Sequence, residues 1–157
     1  MKCYVEFPCD DIKIISAKIY DFLQEHTNLL DTTRFGWHFI DCKSVLKHVP
    51  ELMLFFKKYN LLPRHAAITI IETNEHLPIH IDEPPVIAKL NLPVINTKGW
   101  INRWYINNDI VAEYADMSNP IIFNSQIEHS VEEVSPESLP RIVASFTFHN
   151  EPIHLLT

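Results

Sequence analysis

Three side chains in this sequence have the types and spacing to hold a metal ion. His80 and Asp82 stand two apart in the segment 79–82, bounded by Pro78 and by Pro84-Pro85. In an extended chain residues i and i+2 project from the same face, so an imidazole and a carboxylate there can reach one ion. With nine histidines in the chain, that spacing alone is a weak signal. His129 strengthens it, 47 residues beyond Asp82 at the start of a later strand pattern. Two imidazoles and one carboxylate on one side of a divalent metal leave its other positions open to small molecules.

Arg141 follows His129 by 12 residues and opens the segment 141–149, RIVASFTFH. Ile142, Ala144, Phe146 and Phe148 share one face of this segment, which reads as core. Arg141, Val143, Ser145 and Thr147 share the other. A guanidinium is costly to bury without an anion, and a bound dicarboxylate supplies one through bidentate hydrogen bonding. The segment 86–95, VIAKLNLPVI, repeats the pattern. Ala88, Leu90, Leu92 and Val94 form an oily face, while Lys89 and Asn91 project from the opposite one with Ile87. For Lys89 and Asn91 a solvated sheet face is an equal alternative. Two strands of this kind fit a barrel lined by a polar small-molecule site. The set of two His and one carboxylate is the arrangement of non-haem Fe(II) oxygenases, where cosubstrate and O2 both need open metal positions.

The elements that must position these groups change character near residue 62. In the segment 11–26, Ile12, Ile15, Ile19, Phe22 and Leu23 recur at helical spacing, with Asp10 or Asp11 as N-cap. A second helix is expected over 50–59, where Pro50 suits the first turn. Between the two helices, 37–41 alternates as a strand. From residue 63 onward the segments 65–73, 79–82, 86–95, 100–106, 110–114, 120–124, 129–134 and 141–149 read as short strands separated by turn residues. About eight strands at such spacing predict a mainly β (α+β) single domain over 1–157. The expected architecture is a jelly roll, or double-stranded β-helix, over 63–150, with the helical part, 1–62, covering one sheet.

The other polar and aromatic groups carry less. Trp100, Arg103, Trp104 and Tyr105 are a candidate substrate rim, although aromatic residues in a strand serve packing more often than recognition. His65, His76, His149 and His154 are rival ligands, the last two better suited to surface or core roles. Glu75 and His76 precede the His-X-Asp motif in a loop and are candidates for the site mouth. Gly36 and Gly99 are the only glycines, so no Gly-rich phosphate loop and no Gly-X-Ser-X-Gly elbow is present.

An apolar fraction of 46% is enough for a real core, and a formal charge of −7 with no basic run argues against a nucleic-acid partner. Cys3, Cys9 and Cys42 are odd in number and lack Cys-X-X-Cys spacing, so free thiols in a reducing compartment are expected. The N-terminal residues show no signal-peptide h-region, and no apolar run approaches the ~20 residues of a membrane span. These features lead us to expect a cytoplasmic protein with no membrane partner. Its oligomeric state is left open.

The order His80-X-Asp82, a distant His129, then Arg141 in the last strand resembles the Fe(II)/2-oxoglutarate-dependent dioxygenases. Within them, IAKLNLPVI followed by NPIIFNSQIEHSVEEV and RIVASFTFH is similar to the aspartyl/asparaginyl β-hydroxylase group, over roughly residues 65–149. The resemblance implies that His80, Asp82 and His129 bind Fe(II) and that Arg141 anchors the distal carboxylate of 2-oxoglutarate. Lys89 and Asn91 fall where that group carries basic or polar residues near the cosubstrate. Some members lack the carboxylate ligand, whereas Asp82 is present here. The implied reaction consumes O2 and 2-oxoglutarate, releases succinate and CO2, and hydroxylates a C–H bond of an amino-acid or peptide substrate. A cupin-like isomerase or hydrolase, or a non-catalytic jelly-roll binding module, are the alternatives. Arg141 separates them, since a cupin has no need of a buried guanidinium.

Overall fold

The alternating segment near the end of the chain forms the centre of the larger sheet. There β10 (Arg141–Phe148) lies between β5 (Ala88–Ile95) and β3 (Pro63–Ile71), antiparallel to both. The computed structural model describes residues 1–31, 36–72, 76–136 and 138–157. On the β5 side the sheet continues through β8 (Ile121–Asn124) to β1 (Tyr4–Glu6), and on the β3 side it ends at β2 (Gly36–Ile40). The second sheet has the order β4 (Leu77–His80), β9 (Glu128–Glu133), β6 (Trp100–Ile106), β7 (Asp109–Ala115). Every pairing among the described residues is antiparallel. Trp104 of the smaller sheet meets Ile121, Phe123 and Val143 of the larger one in a buried cluster.

The outer face of the larger sheet is covered by α1 (Ile12–His26), α2 (Cys42–His48) and α3 (Pro50–Lys58). Ile15, Ile19, Phe22 and Leu23 of α1 are buried, as the helical spacing predicts. With Leu52 and Phe56 they cover Ala66, Ile68, Ile70, Leu90, Leu92, Ile142, Ala144 and Phe146. Phe56 stands edge-on to Phe146 and Phe148, with centroids 5.2 and 5.3 Å away. Burying side chains of this size stabilises the fold by about 1.5–3 kcal/mol each. Two polar ties fix α1 in place: Ser16 Oγ donates to the Pro93 carbonyl at 2.6 Å, and Lys18 pairs with Glu51 at 2.6 Å.

Several elements differ from the sequence expectation. Among the described residues there are three α-helices where two were expected, because Asp41 accepts from the Ser44 N–H and starts α2 with a side-chain cap. Asp11 sits at the N-cap of α1 without such a bond. β1, only three residues long, joins the sheet edge. β4 stops at His80, not Asp82, because the Asp82 N–H leaves the β4 ladder and donates to the Ser125 carbonyl at 2.9 Å. Residues 73 and 75, expected at a strand end and near the site mouth, lie outside the described residues. Gly99 enters β6 with φ +85°, and a Cβ there would lie 2.3 Å from the Ser135 carbonyl oxygen, so no other residue fits. No helix among the described residues is long and apolar enough to cross a membrane. The three cysteines are free.

Candidate active site

The sheet pairing brings the metal-ligand candidates together. His80 ends β4 and lies directly opposite His129 on β9, their ring centroids 4.4 Å apart. Asp82, two residues past His80, returns its carboxylate between them. Asp82 Oδ1 is 3.5 Å from His80 Nε2 and 3.7 Å from His129 Nε2. One donor atom from each of the three residues falls within 4.8 Å of the others. Both rings are held alike. His80 Nδ1 lies 2.7 Å from the Pro78 carbonyl oxygen, and His129 Nδ1 lies 2.7 Å from that of Ile127. Each Nδ1–H donates to its carbonyl, which leaves both Nε2 atoms as lone-pair donors beside Asp82 Oδ1.

The electrostatics follow from burial and pairing. Burial alone would raise Asp82, but the contact with His80 and the ammonium of Lys89 more than offset it, and its carboxyl sits at about 2. The contact with Asp82 raises His80, whereas burial lowers His129. Asp82 therefore stays ionised and His129 favours the neutral form, the states in which a carboxylate and an imidazole bind a metal. Lys89 Nζ lies 2.9 Å from Asp82 Oδ2, the oxygen that faces away from the histidines.

Arg141 is placed differently. It is 2% exposed and lies against Trp100, whose ring centroid is 5.8 Å from the guanidinium carbon. Its Nε is buried without a hydrogen-bond partner, and no carboxylate pairs with it among the described residues. Burial pushes its pKa down to about 10. A cation so placed destabilises the fold until an anion reaches it. Arg141 shares the inward face of β10 with Val143, Ser145 and Thr147, while Ile142, Ala144, Phe146 and Phe148 join the helix-side core. The strand phase is the one its alternation predicts.

A cavity of about 550 Å³ runs from the ligand cluster across the inner face of the larger sheet. Lys89 and Asn91 line it, as do Asn102 and Trp104 from β6. Asn91 accepts a 2.6 Å bond from Ser145 Oγ. Of the rim candidates, Trp100 is buried with Ile71 and Val131, and Trp104 lines the cavity while stacking on Tyr4 at 4.6 Å. Arg103 pairs with Glu132 and Glu113, and the Tyr105 hydroxyl meets Ser130. His65 lines the cavity, whereas His76, His149 and His154 are exposed and are absent from the ligand cluster. Trp37 and Phe39, not expected at the site, line its outer wall. Their two-residue spacing in 37–41 was the available signal.

The residues fit the groups their pattern implies. The donor set suits a divalent metal with open positions, and the orphaned guanidinium suits a carboxylate-bearing cosubstrate.

No family model matches the sequence, and no curated protein matches it. Solved structures do. A Trichoplax adhaerens prolyl hydroxylase, in complex with a hypoxia inducible factor oxygen degradation domain peptide fragment, superposes with a TM-score of 0.62 at 10% identity, covering 100% of this chain and 88% of that one. A viral collagen prolyl hydroxylase from Paramecium Bursaria Chlorella virus-1, as its 2-oxoglutarate complex, gives 0.58 at 11% identity, with coverage of 92% and 94%. The non-heme alpha-ketoglutarate-dependent epimerase SnoN from nogalamycin biosynthesis gives 0.59 at 13% identity, with coverage of 92% and 76%. Likeness at this level of identity establishes architecture: the chain has the double-stranded β-helix fold that these structures share.

Proposed function

We propose that this chain is an Fe(II)- and 2-oxoglutarate-dependent oxygenase that hydroxylates a C–H bond in an amino-acid or peptide substrate. One observation carries the reading. A His-Asp-His cluster lines the cavity, and on the inward face of β10, behind that lining, is a buried arginine with no anionic partner among the described residues. A zinc hydrolase on this scaffold accounts for the cluster but leaves Arg141 without a purpose. The fold neighbours support the reading, since they include hydroxylases and a 2-oxoglutarate complex. The assignment to the aspartyl/asparaginyl β-hydroxylase group rests on the sequence resemblance.

In this account His80, Asp82 and His129 hold the iron and Arg141 receives the distal carboxylate of 2-oxoglutarate. Iron, O2 and 2-oxoglutarate together supply the oxidising chemistry, with succinate and CO2 as the by-products. The remaining work belongs to the chain. The Pro78 and Ile127 carbonyls hold the two imidazoles in orientation. Lys89 keeps Asp82 ionised and turned toward the histidines. Asn91, tied to Ser145, presents a polar edge to the cosubstrate side of the cavity. Trp104, Phe123 and Val131 exclude water beside the reactive centre.

Succinate formation from 2-oxoglutarate tests this directly. His129→Ala should abolish it, and an active His129→Ala protein would remove the third ligand from the account. Arg141→Ala should raise the 2-oxoglutarate concentration needed for turnover; an unchanged apparent affinity would refute the anchor.

A further inference from the structure

The larger sheet ends at β2, where Trp37 and Phe39 are 48% and 69% exposed. They pack edge to face, centroids 4.3 Å apart, and both line the cavity that holds the ligand cluster. Large aromatic groups left in water at the mouth of a reactive cavity have no folding role to explain them.

The strand register shows what lies beside them. Phe39 pairs with Ala67, Ala67 with Ser145, and Ser145 with Asn91. This row crosses the cavity floor from an aromatic wall, over a methyl group, to a hydrogen-bonded polar edge. The next row sets His65 opposite Thr147. Thr147 Oγ1 is buried there without a hydrogen-bond partner. Among the described residues, no cavity-lining residue of β2, β3 or β10 is Asp, Glu, Lys or Arg; Lys89, on the neighbouring strand β5, is already paired with Asp82 at 2.9 Å.

We propose that Trp37, Phe39, Ala67 and Thr147 form a substrate subsite for an uncharged, ring-bearing group with an adjacent hydrogen-bonding function. It rests on the oxygenase reading above and names the class of substrate that site takes. The ring lies over Ala67, whose methyl group leaves a slot beside Phe39. Phe39 and Trp37 meet its edge and face. A neighbouring amide or hydroxyl supplies the partner that Thr147 lacks. A carboxylate-bearing side chain finds no lining cation on β2, β3 or β10, Lys89 on β5 being engaged by Asp82, and is rejected by desolvation.

The probes are N-acetyl-L-phenylalanine methylamide and, as the charged control, N-acetyl-L-aspartate methylamide. The readout is the Trp37 indole N–H resonance, titrated in the metal-free protein and again anaerobically with Fe(II) and 2-oxoglutarate. The phenylalanine probe should shift that resonance saturably and bind at least about tenfold more tightly than the aspartate probe. Ala67→Leu, which fills the slot, should weaken it by about tenfold or more. Phe39→Ala should cost roughly fivefold; at an exposed edge position it tests the subsite even if Ala67→Leu fails to fold. Equal affinity for the two probes, no saturable shift, or indifference to Phe39→Ala overturns the subsite. A probe that seats in the metal-free protein while 2-oxoglutarate never binds with iron overturns the oxygenase and leaves the recognition standing. Cosubstrate binding without seating of the probe overturns the subsite alone.

Discussion

The two faces of the larger sheet are built from the same strands and serve opposite ends. On the helix side, β3, β5 and β10 present Ile68, Leu90, Leu92, Ala144 and Phe146, all fully buried in carbon. On the inward side, the same strands present Thr69, Lys89, Asn91, Ser145 and Thr147, which line the cavity, and Arg141, which is buried behind that lining. Two of these, Arg141 and Thr147, carry buried polar atoms with no partner. One face supplies the stability that lets the other hold groups which, on their own, destabilise the fold. Substitutions on the two faces should therefore separate stability from binding.

The largest stability effect belongs to the helix side. Phe146→Ala should cost about 3–5 kcal/mol in urea unfolding, while protein that remains folded keeps its affinity for iron and 2-oxoglutarate. A loss of affinity matching the loss of stability would mean that the faces are not independent. Arg141→Met is the converse. It should lower 2-oxoglutarate affinity by about 2–5 kcal/mol yet leave the ligand-free protein as stable or more so, because an uncompensated buried cation is gone. Marked destabilisation without ligand would show that Arg141 already has a partner.

A smaller effect is set by pH. Asp82 is depressed from 3.8 to about 2 in the folded, metal-free protein. Its contribution is therefore complete above the unfolded value and is lost as pH falls through the folded one. Acid unfolding followed from pH 5 to pH 2 should show on the order of 2 kcal/mol of stability vanishing in that window. Asp82→Asn should flatten this part of the profile; an unchanged slope would mean that Asp82 is not held by His80 and Lys89. Ser145→Ala should be the mildest change, about 1 kcal/mol from the lost bond to Asn91, read by thermal unfolding.

The cavity face was legible in sequence wherever period-two alternation ran long. Residues 86–95 and 141–149 each show which side faces the helices, and the structure has both in that phase. His80, Asp82 and His129 were legible as types and order, but their convergence depends on the β4–β9 register. Short elements were harder to read. α2 buries only Val45 and β1 has three residues, too few for any period to emerge. The Lys89–Asp82 pair joins residues on either side of a crossing between the two sheets, and local pattern holds no trace of such contacts. Trp37 and Phe39 read as an ordinary strand because exposure depends on what lies beyond the sheet edge.

The most direct test of the central claim is anaerobic titration of the metal-free protein with Fe(II) and then 2-oxoglutarate, followed by visible absorption. A weak charge-transfer band is expected in the native protein, lost in His80→Ala and requiring far more 2-oxoglutarate in Arg141→Met. Iron binding with no band on addition of 2-oxoglutarate, or no iron binding at all, would contradict that claim.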